Sequence, residues 1–305
     1  MTVLKRGDGV LCLGRIYADL AFADLDAPPT PGREVYADSF SLTPGGGAVI
    51  TAAHLLDLGQ PTHLLARLGT DPIAEAVAAQ FRPLGLDLTY VERAPDAGPQ
   101  LTVAIVTPED RAFITRRSPR GVPRDAVAAL GTHGIGHLHI AEYATLAEAP
   151  ELLAAAKAAG LTVSVDPSWD ESLIRGDGLL AACAGTDIFF PNMEEAVALT
   201  GLSDATAALN ALAVHFPIVA LKCGSSGAML AHGGQVYTAS APKITVVDTI
   251  GAGDSFNAGF LQAWLGGDTP QGCLNRAVQR GTQSVMAAGG TGCIAVRPAP
   301  TAVAI

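Results

Sequence analysis

The run DTIGAGDSFNAGF (248–260) places three small residues, Gly251, Ala252 and Gly253, directly before a carboxylate, Asp254, and an apolar helical pattern, FNAGFLQAWL (256–265). The preceding KITVV (243–247) is rich in β-branched residues and reads as a strand. A strand that turns through small residues into a helix leaves the first N–H groups of the helix without internal partners. With the helix dipole, those groups form an anion site suited to a phosphoryl group in transfer. Asp254 falls in the first helical turn, where it can take a proton from an alcohol whose oxygen attacks phosphorus. A glycine turn with an aspartate at a helix start is also how an ordinary helix is capped. The short G-x-G-D element leaves both readings open, and the longer run favours the chemical one.

Other residues carry weaker signals of the same kind. Asn192-Met-Glu-Glu195 (192–195) offers an amide and a carboxylate three residues apart, a pattern that by itself reads as a helix N-cap with an acidic third residue. LKCGSSGA (221–228) puts Lys222 at a strand end, where by itself it reads as a solvated charge, before a turn with Gly224 and Gly227. His137 and His139 share one strand face at i, i+2 but have no third ligand in reach, so no metal site is assigned to them. The chain has no G-x-x-x-x-G-K-[ST], so phosphates must be held without a P-loop. GDGVLCLG lacks the G-x-G-x-x-G spacing, which disfavours a dinucleotide-binding dehydrogenase.

The elements that must position these groups read as alternating strands and helices. Strands are expected at GVLCLG (9–14), THLLARLG (62–69), HLHIAE (137–142), LTVSVD (161–166), DIFF (187–190) and PIVALK (217–222). Helices are expected at 47–59, closed by Gly59, at 71–81 with Asp71 as cap and Pro72 in the first turn, near 145–159, and at 192–201. Apolar strands in this rhythm imply a mainly parallel sheet covered by helices on both faces. Two stretches break it. Residues 15–43 alternate polar and apolar without a helix, and 98–117 read as a hairpin, LTVAIVT and AFITR about a PEDR turn. They suit a small sheet that closes over a site as a lid, or edge strands of the main sheet. The tail RPAPTAVAI suits a surface strand or loop.

The string 248–260 resembles the C-terminal signature of the ribokinase-like (PfkB) carbohydrate kinases, and the resemblance extends over nearly the whole chain. GRIYAD (14–19), PGGGAVITAAHLLDLG (44–59), RLGTDPIAEAV (67–77), the N-x-x-E of 192–195 and LKCGSSGA (221–228) each resemble a family segment, with Ala74 where the family's G-x-D-x-x-G region ends in glycine. The resemblance implies a three-layer α/β core from residues 1–14, 44–97 and 118–305 and a β lid from 15–43 and 98–117, with ATP as donor and Mg²⁺ as cofactor. It implies Asp254 as base and Gly251, Ala252 and Gly253 as the anion hole. Asn192 and Glu195 would organise Mg²⁺, and Lys222, Gly224 and Gly227 would line the nucleotide. Asp19, Gly45, Gly46 and Glu142 would hold sugar hydroxyls, and Arg116 and Arg117 would reach an acidic or hydroxylated substrate. A monovalent cation such as K⁺ would be held by Asp248, Ile250, Ser284, Ala287 and Gly289, and two copies would pair through their lids. Three positions depart from the pattern. Ile50 stands where an asparagine usually contacts the sugar, Tyr17 where small polar residues are common, and Val278 where an asparagine is frequent near adenine.

Composition bounds the partners. The chain has 305 residues, 49% hydrophobic and 16% charged, enough for one large buried core. A net charge of −10 disfavours a nucleic-acid surface. Uncharged stretches fall short of a membrane span, and MTVLKRGDGVLCLG lacks the apolar run of a signal peptide. Five cysteines without C-x-x-C spacing suit a reduced cytoplasm. Three functions remain in play: a sugar kinase, a nucleoside kinase of the same fold suggested by Ile50 and Tyr17, and a catalytically silent sugar or nucleotide sensor.

Overall fold

The computed structural model describes residues 7–106 and 111–294. Most of the expected PEDR turn and all of the RPAPTAVAI tail lie outside them. Thirteen strands can be followed among the described residues: β1 (Gly9–Leu13), β2 (Tyr17–Leu25), β3 (Ala37–Gly45), β4 (Thr62–Leu68), β5 (Val91–Arg93), β6 (Leu101–Val106), β7 (Arg111–Arg116), β8 (Ile135–Ile140), β9 (Thr162–Val165), β10 (Ile188–Phe189), β11 (Ile218–Lys222), β12 (Ala228–His232) and β13 (Gln235–Ala239). The helices are α1 (Gly47–Asp57), α2 (Pro72–Ala78), α3 (Ala126–Ala129), α4 (Tyr143–Glu148), α5 (Glu151–Ala158), α6 (Glu171–Ile174), α7 (Leu179–Ala182), α8 (Met193–Thr200), α9 (Ala205–Leu212), α10 (Ala252–Leu265) and α11 (Pro270–Ser284).

Nine strands form the main sheet in the order β13-β12-β11-β10-β9-β8-β1-β4-β5. Pairing is parallel from β5 to β11 and antiparallel at β11-β12 and β12-β13. The strand interiors are apolar on both faces, as a sheet covered twice requires. In β1, Val10 and Cys12 point into one core with α1, α2, α10 and α11, while Leu11 and Leu13 point into the other with α3 to α9. The result is the three-layer α/β architecture expected above.

A second sheet has the order β3-β2-β6-β7. Register puts Phe22 opposite Phe40 and Ile105, and Asp19 opposite Thr43 and Thr102. Because side chains alternate, one face carries Asp19, Thr43 and Thr102, with Phe113 further out. The other carries Ala18, Leu20, Leu42, Phe22, Phe40 and Ile114. Ala18, Leu20 and Leu42 pack on the main core, but Phe22, Phe40 and Ile114 remain 37%, 58% and 63% exposed. Arg15 ties the root of this sheet to the body. Its guanidinium donates to Gln100 Oε1 (3.1 Å) and the Ser118 carbonyl (2.9 Å), and it pairs with Glu142 and Glu148.

Three local expectations are corrected. KITVV is not a strand: among the described residues its backbone bonds only through Val247 N–H to the Val285 carbonyl (2.8 Å), and Val246 lines a cavity instead of a sheet edge. The helix expected near 145–159 is two helices, broken at Ala149–Pro150, because proline lacks an N–H and clashes with the preceding turn. The helix after Asp71 ends at Ala78; Asp71 does cap it, accepting from Ile73 and Ala74 amides at 3.1 Å.

Candidate active site

Helix α10 begins at Gly251, whose φ of 73° lies in the left-handed region. A side chain there would also collide with its surroundings, since a Cβ would lie 2.7 Å from Gly290 Cα and 3.1 Å from Ile50 Cγ2. Ser255 closes the turn, its N–H (2.9 Å) and its hydroxyl (2.7 Å) both donating to the Gly251 carbonyl. The Ala252 amide donates to the Thr249 carbonyl at 3.3 Å, while no acceptor within the described residues takes the amides of Gly251 and Gly253. Asp254 is half-buried in the first turn, packed against the start of α1, where a Cβ on Gly47 would lie 2.8 Å from its Oδ1. Thr51 of α1 donates to the Asp254 carbonyl at 3.2 Å.

The charge balance around Asp254 is unusual. Burial pushes its carboxyl up to about 7, with Asp166, Glu142 and Asp19 adding to the rise and Lys222 opposing it. Asp166, 5% exposed at the end of β9, was not singled out by the sequence because it belongs to no spaced motif. It accepts from Lys222 Nζ (2.6 Å), Asn257 Nδ2 (2.7 Å) and the Ser168 amide (2.9 Å). Burial tends to discharge Lys222, but Asp166 and Glu195 outweigh it and hold the ammonium charged. The Lys222 ammonium lies 3.3 Å from where a Cβ on Gly253 would stand, so it sits beside that turn. Glu195 is buried, which raises its pKa, and Asp166 pushes the same way. Its Oε2 accepts from the Asn192 amide (2.7 Å), and its own amide donates to Asn192 Oδ1 (2.8 Å). N-x-x-E is therefore a true capping box, and it also places Glu195 beside the Asp166–Lys222 pair.

On one side of α10 opens a cavity of about 760 Å³. Asn192, Lys222, Gly224, Gly227 and Gly253 line it, with Val278 among its apolar walls. On the other side lie the acceptor candidates. The Asp19 carboxylate folds over Gly45, leaving no room for a side chain there; burial, then Asp248, raises it to about 6. Gly46 caps α1 with φ 98°. Glu142 Oε1 accepts from the Arg15 amide (3.2 Å) and the Thr145 hydroxyl (2.7 Å). Arg117 donates to the Tyr17 hydroxyl (3.2 Å) and Asp170 (2.7 Å), and Arg116 to the Pro99 carbonyl. Ile50 is buried and packs against Gly251 and Gly290, so it supports the turn from behind.

The residues read as a cation site cluster after α11. Asp248 Oδ1 accepts from Ile250 (3.0 Å) and Oδ2 from Gly289 (2.9 Å), drawing the two segments together. Ala287 donates to the Ser284 carbonyl at 3.2 Å, and the buried Ser284 Oγ has no partner among the described residues. His137 and His139 are held by Ser164 at 2.8 Å each; burial lowers them to about 3 and about 4. Among the described residues, no three His, Cys, Asp or Glu side chains form a group able to hold a metal, and no helix is long and apolar enough to cross a membrane.

Comparison with known proteins places this arrangement. A model of the pfkB family carbohydrate kinases matches residues 8–297. The chain is 31% identical over 305 residues to an ATP-dependent ribose-1-phosphate kinase of Halopiger xanaduensis, covering 97% of this chain and 96% of that protein. Arabidopsis thaliana ribokinase complexed with ribose and ATP is similar in structure, with a TM-score of 0.80 at 24% identity over 95% of this chain and 96% of that one. A putative ribokinase II of Escherichia coli in complex with ATP and Mg²⁺ gives a TM-score of 0.78 at 19% identity, over 94% and 96%. At such identities the structural likeness establishes the fold.

Proposed function

The chain belongs to the pfkB family of carbohydrate kinases, and from that premise we propose that it moves the γ-phosphoryl group of ATP onto a hydroxyl of a sugar or sugar derivative, with Asp254 as the general base. One observation carries this reading: the Asp254 carboxylate and the open amides of Gly251 and Gly253 meet at one helix start, between the 760 Å³ cavity and the acidic acceptor side. The triphosphate enters from the cavity, along Lys222, Gly224 and Gly227. The acceptor hydroxyl lies beside Asp254, its neighbours held by the backbone of Gly45 and Gly46 and by Asp19 and Glu142, whose carboxylates accept hydroxyl donors. Its proton passes to Asp254 as its oxygen bonds to phosphorus, and the bond from phosphorus to the ADP oxygen breaks. The amides of the Gly251–Gly253 turn and the Lys222 ammonium take up the charge on the moving group.

Mg²⁺ fits the electrostatics of the site. Asp166, Glu195 and Asp254 gather around a single ammonium, and burial first, then repulsion from Asp166, raises Glu195 and Asp254. Without a protein cage, Asn192, Glu195 and Asp166 would hold the ion through its waters, the usual habit of Mg²⁺. Bound there, it supplies charge neutralisation between the phosphates. A monovalent cation would sit on the carbonyls of Asp248, Ile250, Ser284, Ala287 and Gly289. Turnover is expected to rise when K⁺ replaces tetramethylammonium.

Screening sugars, sugar acids and nucleosides with ATP tests the acceptor class. Phosphate uptake by nucleosides alone would overturn the sugar reading. The rate carries a second signature. Since Asp254 must be ionised to act, and burial holds it near 7, kcat/KM is expected to fall tenfold per pH unit below about 7 and to level off above. A flat profile between pH 5 and 8 would remove Asp254 as the base.

The small sheet, residues 15–43 and 98–117, serves as a lid with its Asp19 face over the acceptor. Its outer apolar end then suits a second copy of the chain, since a patch bearing Phe22, Phe40 and Ile114 is seldom left open. Phe40→Glu is expected to turn a dimer into a monomer in sedimentation at micromolar concentration; an unchanged sedimentation coefficient would refute the pairing.

A further inference from the structure

Behind the α10 turn lies a buried polar chain that the transfer chemistry does not use. His54 and Asp57 come from α1, Arg280 from α11, and Ser255 from α10. Arg280 Nε donates to His54 Nδ1 at 2.6 Å, and Nη2 to Asp57 Oδ2 at 2.5 Å. A guanidinium has only donors, so Nδ1 accepts and the ring proton sits on Nε2. Nε2 is 2.8 Å from the Gly290 carbonyl and 2.9 Å from Ser255 Oγ. Ser255 gives its own hydroxyl proton to the Gly251 carbonyl (2.7 Å), so its oxygen accepts. The polarity of the chain runs one way, from Arg280 toward Gly290 and Gly251. Burial lowers His54 to about 4, which keeps the ring neutral.

Both branches at the far end of this chain grip the transfer site. The backbone of Gly290 packs directly on Gly251. In a planar trans peptide the carbonyl and the following N–H point opposite ways, so anchoring the Gly251 carbonyl sets the orientation of the whole turn. A leucine at position 54 could fill the volume but could not hold Gly290 and Ser255. We propose that His54, fixed as its Nε2–H tautomer by Arg280 and Asp57, is a positioning residue that locks Gly290 and, through Ser255, Gly251, and so holds the turn's amides in place for the phosphoryl group. The proposal rests on the phosphoryl-transfer reading above.

Loss of one donor that contacts a developing charge typically costs about 10²- to 10³-fold in rate. Loosening the donors costs less. His54→Asn, whose amide stops near the Nδ1 position, is expected to lower kcat about tenfold or more with both KM values within about twofold. His54→Gln, whose amide reaches the Nε2 position, is expected to stay within about threefold of the parent. Binding of ADP with tetrafluoroaluminate, measured by calorimetry, should weaken in His54→Asn by about the factor seen in kcat, while binding of ADP alone stays unchanged. Parent-like kcat in His54→Asn, equal loss in both variants, or failure of both to fold would each overturn the proposal. Asp254→Asn, assayed beside them, separates the two claims. Full turnover there removes the transfer reading, whereas an inactive Asp254→Asn beside a fully active His54→Asn removes only the positioning role.

Discussion

Asp254→Asn is expected to lower kcat about 10³- to 10⁴-fold, with kcat/KM falling by the same factor, because general base catalysis acts only as the proton leaves the acceptor. The same variant should be more stable than the parent. Folding lifts this carboxyl from an ordinary 3.8 to about 7. Between those values the native state binds a proton that the unfolded chain has lost, so the carboxyl's contribution to stability falls as pH rises and its full cost is present above about 7. An asparagine has no such charge to bury. Its gain, of order a few kcal/mol in the absence of ligands, should appear as a raised Tm at pH 8 that shrinks toward pH 4. Undiminished turnover would eliminate Asp254 as base. A lowered Tm at pH 8 would contradict the origin assigned to its shift.

Lys222→Met carries the second large effect, on stability and turnover together. Among the described residues, Lys222 is the only cation hydrogen-bonded to Asp166. Removing it leaves a buried carboxylate to Asn257 and the Ser168 amide alone, a change that typically costs about 3–5 kcal/mol. The ammonium also sits beside Gly253, where charge on the phosphoryl group would develop, so kcat is expected to fall about 10²- to 10³-fold. The pair Lys222→Met with Asp166→Asn divides these roles. It removes the orphaned charge and should recover most of the Tm, while turnover stays low. Recovery of turnover along with the Tm would make Lys222 a structural residue only.

The sequence made some of this legible and hid the rest for physical reasons. The rhythm of apolar strands and capped helices carried the three-layer fold, because a strand such as GVLCL, buried on both faces, leaves few alternatives. The motifs at 192–195 and 251–254 were readable because each packs its parts within about one helical turn. Asp166 was not readable: its partners Lys222 and Asn257 lie 56 and 91 residues away. His54 shows the same limit more sharply, since its meaning depends on Arg280, 226 residues on. KITVV misled because β-branched residues suit a cavity wall as well as a strand, and local propensity cannot tell the two apart.

Arg15 sets the mechanics of the small sheet. With its guanidinium joined to Gln100, Ser118, Glu142 and Glu148, the sheet is a cantilever, clamped at one end and free at the other. Bending amplitude in such a beam grows with distance from the clamp, so in a single copy the Phe22–Phe40 end is expected to move more than Asp19, near the root. Amide exchange should therefore quicken along β2 from Ala18 to Leu25, a gradient that cutting the clamp with Arg15→Met would flatten.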